Sequence, residues 1–160
     1  QDFRPQELSS VCWAFATLRL RGDENDENDA FLASLAAASL AKSEELSPQS
    51  LSNLAWSFAK LSREIRPELL DVFVGALATR TAEFEPQGLQ NGAWALAALG
   101  LEEPLAMGAI SAEAARRSAE LSPQALSNIA WSFATLALVQ QLPQLRSLAK
   151  EAQMKATGFS

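Results

Sequence analysis

Apolar residues along this chain recur at helical spacing, and one block of the pattern is written four times. In LSPQSLSNLAWSFAKL, from Leu46 to Leu61, the residues Leu51, Leu54, Ala55, Phe58 and Leu61 share one face of a helix. The other copies are FRPQELSSVCWAFATL from Phe3, FEPQGLQNGAWALAAL from Phe84 and LSPQALSNIAWSFATL from Leu121. In every copy the Trp follows the Pro by eight residues, and the copies begin 43, 38 and 37 residues apart. Units of that length mark a stacked-repeat architecture.

The start of each block reads as a helix start. Pro5, Pro48, Pro86 and Pro123 suit the first helical position, where a missing N–H is harmless. Ser47 and Ser122 precede two of them as N-caps, with Glu85 and Arg4 as weaker substitutes. A large apolar residue before the cap (Phe3, Leu46, Phe84, Leu121) and a Leu five residues on (Leu8, Leu51, Leu89, Leu126) have the spacing of a hydrophobic staple. Trp56 falls on the flank of the stripe, at helical spacing from Gln49, Asn53 and Lys60. A second buried flank is expected where a helix meets both its hairpin partner and a neighbouring repeat. Trp13, Trp56, Trp94 and Trp131 are therefore expected in the core between repeats, rather than on an exposed stacking platform. Ala55, Ala59, Ala93, Ala97, Ala130 and Ala134 would let helices approach closely.

Between the motif helices, expected at residues 5–20, 48–62, 86–100 and 123–138, lie partner helices at 29–42, 67–81, 104–119 and 143–155. Pro67 and Pro104 each stand 19 residues before the next motif proline, so these helices also begin at a proline. Leu69, Leu70, Phe73, Val74 and Leu77 form the apolar stripe of the second partner. The fold expected is an all-α solenoid of stacked antiparallel helical hairpins, one domain over residues 1–160 with a repeat of about 38 residues.

Composition supports helix: 48% of the 160 residues are hydrophobic, and there are only seven Gly, seven Pro and no Tyr. No apolar run is long enough to span a membrane. The single cysteine excludes a disulfide framework and a cysteine metal cluster. Cys12 fills the slot of Ala55, Ala93 and Ala130, so it reads as a small core residue. Arg21 to Asn28, RGDENDEN, interrupts the period; it lacks the glycine and terminal Glu spacing of an EF-hand. It reads as a solvated loop whose last residues, Asn28 or Asp29, cap the next helix.

A Pro-Gln, a Leu, an Asn, an Ala-Trp and a Leu at fixed offsets, four times over, resemble the octotricopeptide repeat family across essentially the whole chain. The departures are Ser10 in the Asn slot, Gly92 in an apolar slot, and the acidic insertion. The resemblance implies paired antiparallel helices, residence in a chloroplast or mitochondrion, and a part in organellar RNA metabolism.

Charge pulls the other way. The formal net charge is −6, and without the five acids of residues 23–29 the chain holds 14 acidic against 13 basic residues. RNA affinity needs cations facing phosphate, yet from the Pro to the last Leu of the four motifs Lys60 is the only basic residue. Lys42, Arg80 and Arg117 each stand six residues before a motif proline and should align along one edge. Each has an acid three residues later (Glu45, Glu83, Glu120), so pairing and helix-dipole compensation explain them without a ligand. Asn53, Asn91 and Asn128 do not vary, as base-reading residues should; they read as a ladder bonding backbone between repeats. The positions that vary on the exposed face are Glu7/Ser50/Gly88/Ala125 and Thr17/Lys60/Ala98/Thr135.

Catalysis has little to work with. The chain has no histidine, which removes the commonest general base and the His metal sites. Glycines form no phosphate-cradling loop, and no cofactor is expected. Two functions fit these residues. One is a protein-binding scaffold within an organellar assembly, with Glu7, Ser50, Thr17, Lys60, Thr135, Lys42, Arg80 and Arg117 as candidate ligand-facing residues. The other is an RNA-binding array in organellar RNA processing, stability or translation, taking single-stranded RNA. The ending also carries a register: with a motif proline next after Ser160, Phe159 takes the staple slot, Ser160 the cap, and Lys155 the basic row. That register predicts a longer array, continuing into a fifth motif.

Overall fold

The computed structural model describes residues 3–18, 27–61 and 66–136, and residues 146, 149–150 and 152–155 of the C-terminal segment. Among them there is no strand. Seven helices follow one another: α1 (Pro5–Thr17), α2 (Glu27–Ala41), α3 (Pro48–Leu61), α4 (Pro67–Thr79), α5 (Pro86–Ala98), α6 (Pro104–Arg116) and α7 (Pro123–Thr135). Six of the seven begin on a proline, as the spacing predicts. The fourth partner helix, expected at 143–155, lies partly outside the described residues, and those described within it are helical.

Caps form where a hydroxyl is available. Ser47 Oγ accepts from the Ser50 N–H at 3.1 Å, and Ser122 Oγ from the Ala125 N–H at 3.1 Å. At α1 the roles reverse, and the Glu7 carboxylate accepts from the Arg4 N–H at 2.8 Å. Asn28 and Asp29 are not caps: α2 already begins at Glu27, and most of the acidic loop before it lies outside the described residues. At the end of α5, Gly100 takes φ +68°, so that its N–H reaches the Ala97 carbonyl and the Leu101 N–H reaches Leu96. That double closure needs the left-handed conformation that glycine adopts without strain.

The partner helices end sooner than expected, and for one recurring reason. Lys42, Arg80 and Arg117 each leave α-geometry, and a single 3-10 turn follows: Ser43–Glu45, Thr81–Glu83 and Ser118–Glu120. The turn hands the chain to the buried apolar residue before the next cap. Leu46, Phe84 and Leu121 are 2% exposed or less, as are Leu51, Leu89 and Leu126. Phe3 is the exception and stays exposed.

The odd helices stack side by side in chain order, α1 on α3, α3 on α5 and α5 on α7; α4 likewise packs on α2 and α6. Each of α1, α3 and α5 also contacts the even helix that follows it, and Phe15 meets Phe31 across the first such pair at 5.0 Å between centroids. Small residues line the odd-helix interfaces. Ala55, Ala59, Ala93 and Ala97 are buried, while Ala130 and Ala134 on α7 are exposed. A methyl group at Gly88 would sit 3.2 Å from Phe84 Cδ1 and 3.4 Å from Ser52 Oγ. At Gly92 it would sit 3.0 Å from Leu77 Cδ2, so this glycine in an apolar slot makes room for a fully buried leucine of α4. Leu70 and Val74, counted in the α4 stripe, are only half-buried; Leu69, Phe73, Ala76 and Leu77 fill the core. The arrangement is all-helical and consistent with a helical repeat.

Candidate functional site

The outer face of the odd helices carries the one chemistry that recurs from helix to helix. On α3 it reads Gln49, Asn53, Trp56, Lys60; on α5, Gln87, Asn91, Trp94, Ala98; on α7, Gln124, Asn128, Trp131, Thr135. On α1 it reads Gln6, Ser10, Trp13, Thr17. Spacings of four, three and four residues keep each set on one side of its helix. Because the helices lie side by side, the sets form parallel rows of amides and indoles.

Two of the four indoles, Trp13 and Trp131, are not the core expected of them, while Trp56 and Trp94 are partly buried and pack against it. Trp13 and Trp131 are 46% and 48% exposed, and Trp56 and Trp94 are half-buried. The helical period already placed the Trp with Gln49, Asn53 and Lys60 on the polar side. Leu51, Leu54, Ala55 and Phe58 fill the interior instead. Trp56 and Trp94 pack on each other, centroids 6.2 Å apart at 42°. Lys60 Nζ stands 5.8 Å from the Trp94 ring centroid, a cation–π distance.

The asparagines do not form a backbone ladder. Within the described residues, the side-chain amides of Gln49, Asn53, Gln87, Asn91 and Asn128 have no protein partner. The carbonyls of Asn53 and Asn128 are used, accepting from Ser57 Oγ at 2.6 Å and Ser132 Oγ at 2.8 Å. Between the first turns of α3 and α5 the amides of Gln49, Asn53, Gln87 and Asn91 line a recess of about 400 Å³, with Glu85 on its wall. Asn91 is only 7% exposed, yet its amide is not among the sealed, partnerless atoms, so it opens on the recess.

The varying positions divide. Thr17, Ala98 and Thr135 are exposed, and Lys60 is half-buried against Trp94. Ser50, Gly88 and Ala125 are buried rather than ligand-facing. That slot meets the preceding helix, where a methyl group at Gly88 would come up against Ser52, and Glu7 alone keeps it half-open. The Arg4 guanidinium holds the Glu7 carboxyl below the usual carboxylate range, with a smaller push from Lys42. A small residue recurring in three of four copies is the signal that this slot is an interface.

Two of the three residues of the basic row, Arg80 and Arg117, are engaged inside the fold. Arg117 donates to the Phe84 carbonyl at 2.7 Å and pairs with Glu120 at 2.8 Å and Glu113 at 3.7 Å. Lys155, in the equivalent position, donates to the Leu121 carbonyl at 2.7 Å and to Ala119 at 2.9 Å. Phe84 and Leu121 both stand two residues before a motif proline, so the two contacts are equivalent. Arg80 is held by Glu83 at 2.8 Å. Lys42 departs from the expected pattern: it makes no ion pair with Glu45 among the described residues, and only its charge reaches Glu7.

The remaining chemistry is sparse. Burial pushes the Cys12 thiol up to about 12, which keeps it protonated in the core at neutral pH. Among the described residues no three His, Cys, Asp or Glu side chains gather as metal ligands. No helix there is long and apolar enough to cross a membrane. The chain matches no protein-family model, and a search of curated proteins returned no match.

Proposed function

We propose that this chain is a stretch of an α-solenoid with a repeat of about 38 residues, of octotricopeptide type. Its proposed role is a non-enzymatic scaffold that holds a protein subunit of an organellar assembly. The carrying observation is the make-up of the odd-helix face. Among the described residues it offers rows of unbonded amides and partly open indoles but only one cation, Lys60, which already lies over Trp94. A phosphodiester ligand brings a negative charge with every nucleotide and draws its affinity from cations that release counterions. Arg80 and Arg117 cannot supply them while they hold carboxylates and a main-chain carbonyl, which leaves Lys42 alone of that row. A polypeptide needs only donors, acceptors and apolar surface, all present here. The organellar location rests on the family resemblance.

The second reading, single-stranded RNA, is favoured by the open rings of Trp13 and Trp131, on which bases could stack. Fluorescence anisotropy with mixed-sequence single-stranded RNA between about 50 and 200 mM salt separates the two. The scaffold reading expects weak binding with a shallow salt slope. Submicromolar binding at physiological salt, abolished by Lys60→Ala, Trp13→Ala or Trp131→Ala, would establish RNA binding instead.

A further inference from the structure

We infer that the recess between α3 and α5 is a binding site for the main chain of an extended polypeptide segment. This deepens the scaffold reading and rests on it. Four primary amides, those of Gln49, Asn53, Gln87 and Asn91, line the recess with no partner among the described residues. Each amide offers both donor and acceptor, the pair that a peptide unit presents in return. Asn91 is more than nine-tenths buried and still unpartnered. Its amide atoms open on the recess rather than being sealed, so a ligand entering there has to replace the bonds that solvent makes to them, as a peptide unit with its own donor and acceptor does.

The stride fits the same ligand. Helices packed through small residues lie about 8–10 Å apart. An extended chain advances about 3.3 Å per residue, so three residues carry it from the amides of one helix to those of the next. The amides are the same from α3 to α5, Gln then Asn four residues on. An unvarying reader suits the unvarying part of a polypeptide, its backbone. Charge adds a preference for basic side chains. Glu85 stands on the recess wall without an ion pair among the described residues, and the chain carries −6 overall. Lys60 over Trp94 already shows that an indole of this face accepts an ammonium group.

The test selects binders from a random twelve-residue peptide library on the intact protein. The best peptide is resynthesised, along with a version N-methylated at alternate amides. Recess binding expects N-methylation to abolish the affinity, and Asn53→Ala/Asn91→Ala to weaken it about tenfold or more. Gln49→Ala/Gln87→Ala should weaken it as well; these side chains are exposed, so folding is preserved. Selected peptides should be enriched in Lys and Arg. Peptides that bind equally well to both double variants, or survive N-methylation, would overturn the recess site while leaving the scaffold reading intact. A library that yields no binder, with tight binding of a twelve-nucleotide single-stranded RNA, would overturn both. No binder of either kind also counts against the site.

Discussion

Arg117 reaches back 33 residues to donate from Nη1 to the carbonyl of Phe84, while Nη2 pairs with Glu120 beside it. The side chain is 12% exposed, so the bond is shielded from water. A hydrogen bond from a charged donor contributes about 1.5–3 kcal/mol. Arg117→Met keeps most of the apolar stem and removes the donors; urea unfolding should show a loss in that range. An unchanged midpoint would mean the contact is incidental.

The tryptophans should be unequal. Full burial makes Trp→Ala worth about 3–5 kcal/mol. Half-buried Trp94, packed at a tilt against Trp56 and capped by Lys60, should lose about 2 kcal/mol, and Trp131 less than about 1 kcal/mol. Thermal unfolding of the two variants checks the order. Equal losses would contradict the placement of these rings.

Gly92 offers a test in which making the repeats more alike does harm. The other copies have Val11, Leu54 and Ile129 in its slot. Leu77 occupies the space above Gly92 at 3.0 Å, so Gly92→Leu should destabilise by about 1–3 kcal/mol through overpacking. Gly75, with nothing near it, should behave oppositely, and Gly75→Ala should gain about 0.5–1 kcal/mol. Chemical denaturation of both variants reads the two signs.

Ser39 and Ser111 carry buried hydroxyls with no hydrogen-bond partner. Removing an unsatisfied group relieves its desolvation, so Ser39→Ala and Ser111→Ala should each stabilise by about 1 kcal/mol. A loss of stability in either would reveal a bond to that hydroxyl in solution.

Acid should loosen the end of α6. The Arg116 guanidinium, bonded to Glu113 and helped by its charge and that of Arg117, holds this carboxyl below its ordinary value. A depressed carboxylate contributes fully above the unfolded value of about 4.3 and loses that contribution as pH falls through the folded one. Stability measured from pH 6 down to about 2 should therefore drop less steeply in Glu113→Gln than in the parent.

Much of this was legible in the residues. Pro5, Pro48, Pro67, Pro86, Pro104 and Pro123 mark helix starts because a proline is tolerated there and hardly elsewhere in a helix. The interior stripe follows from the period. What could not be read depends on neighbours distant in sequence. The 3-10 turns come where Lys42, Arg80 and Arg117 leave the helix, and Arg117 there answers a carbonyl 33 residues away. Whether Gly88 and Ala125 face water or a helix depends on stacking, which a single-helix projection leaves out. For the indoles the period was the better guide: Trp56 follows Gln49 and Asn53, and hydrophobicity alone misplaces it.

Arg117 and Lys155 each reach a distant stretch of chain by its backbone rather than by a side chain, both closing on carbonyl oxygens, whereas Arg80 stays with its neighbour Glu83. A carbonyl is present whatever residue carries it, as the change from Phe84 to Leu121 shows. Such a coupling is blind to the identity of what it couples. A leucine could stand where Phe84 is, or a phenylalanine at Leu121, without costing the bond its acceptor, because the acceptor belongs to the main chain.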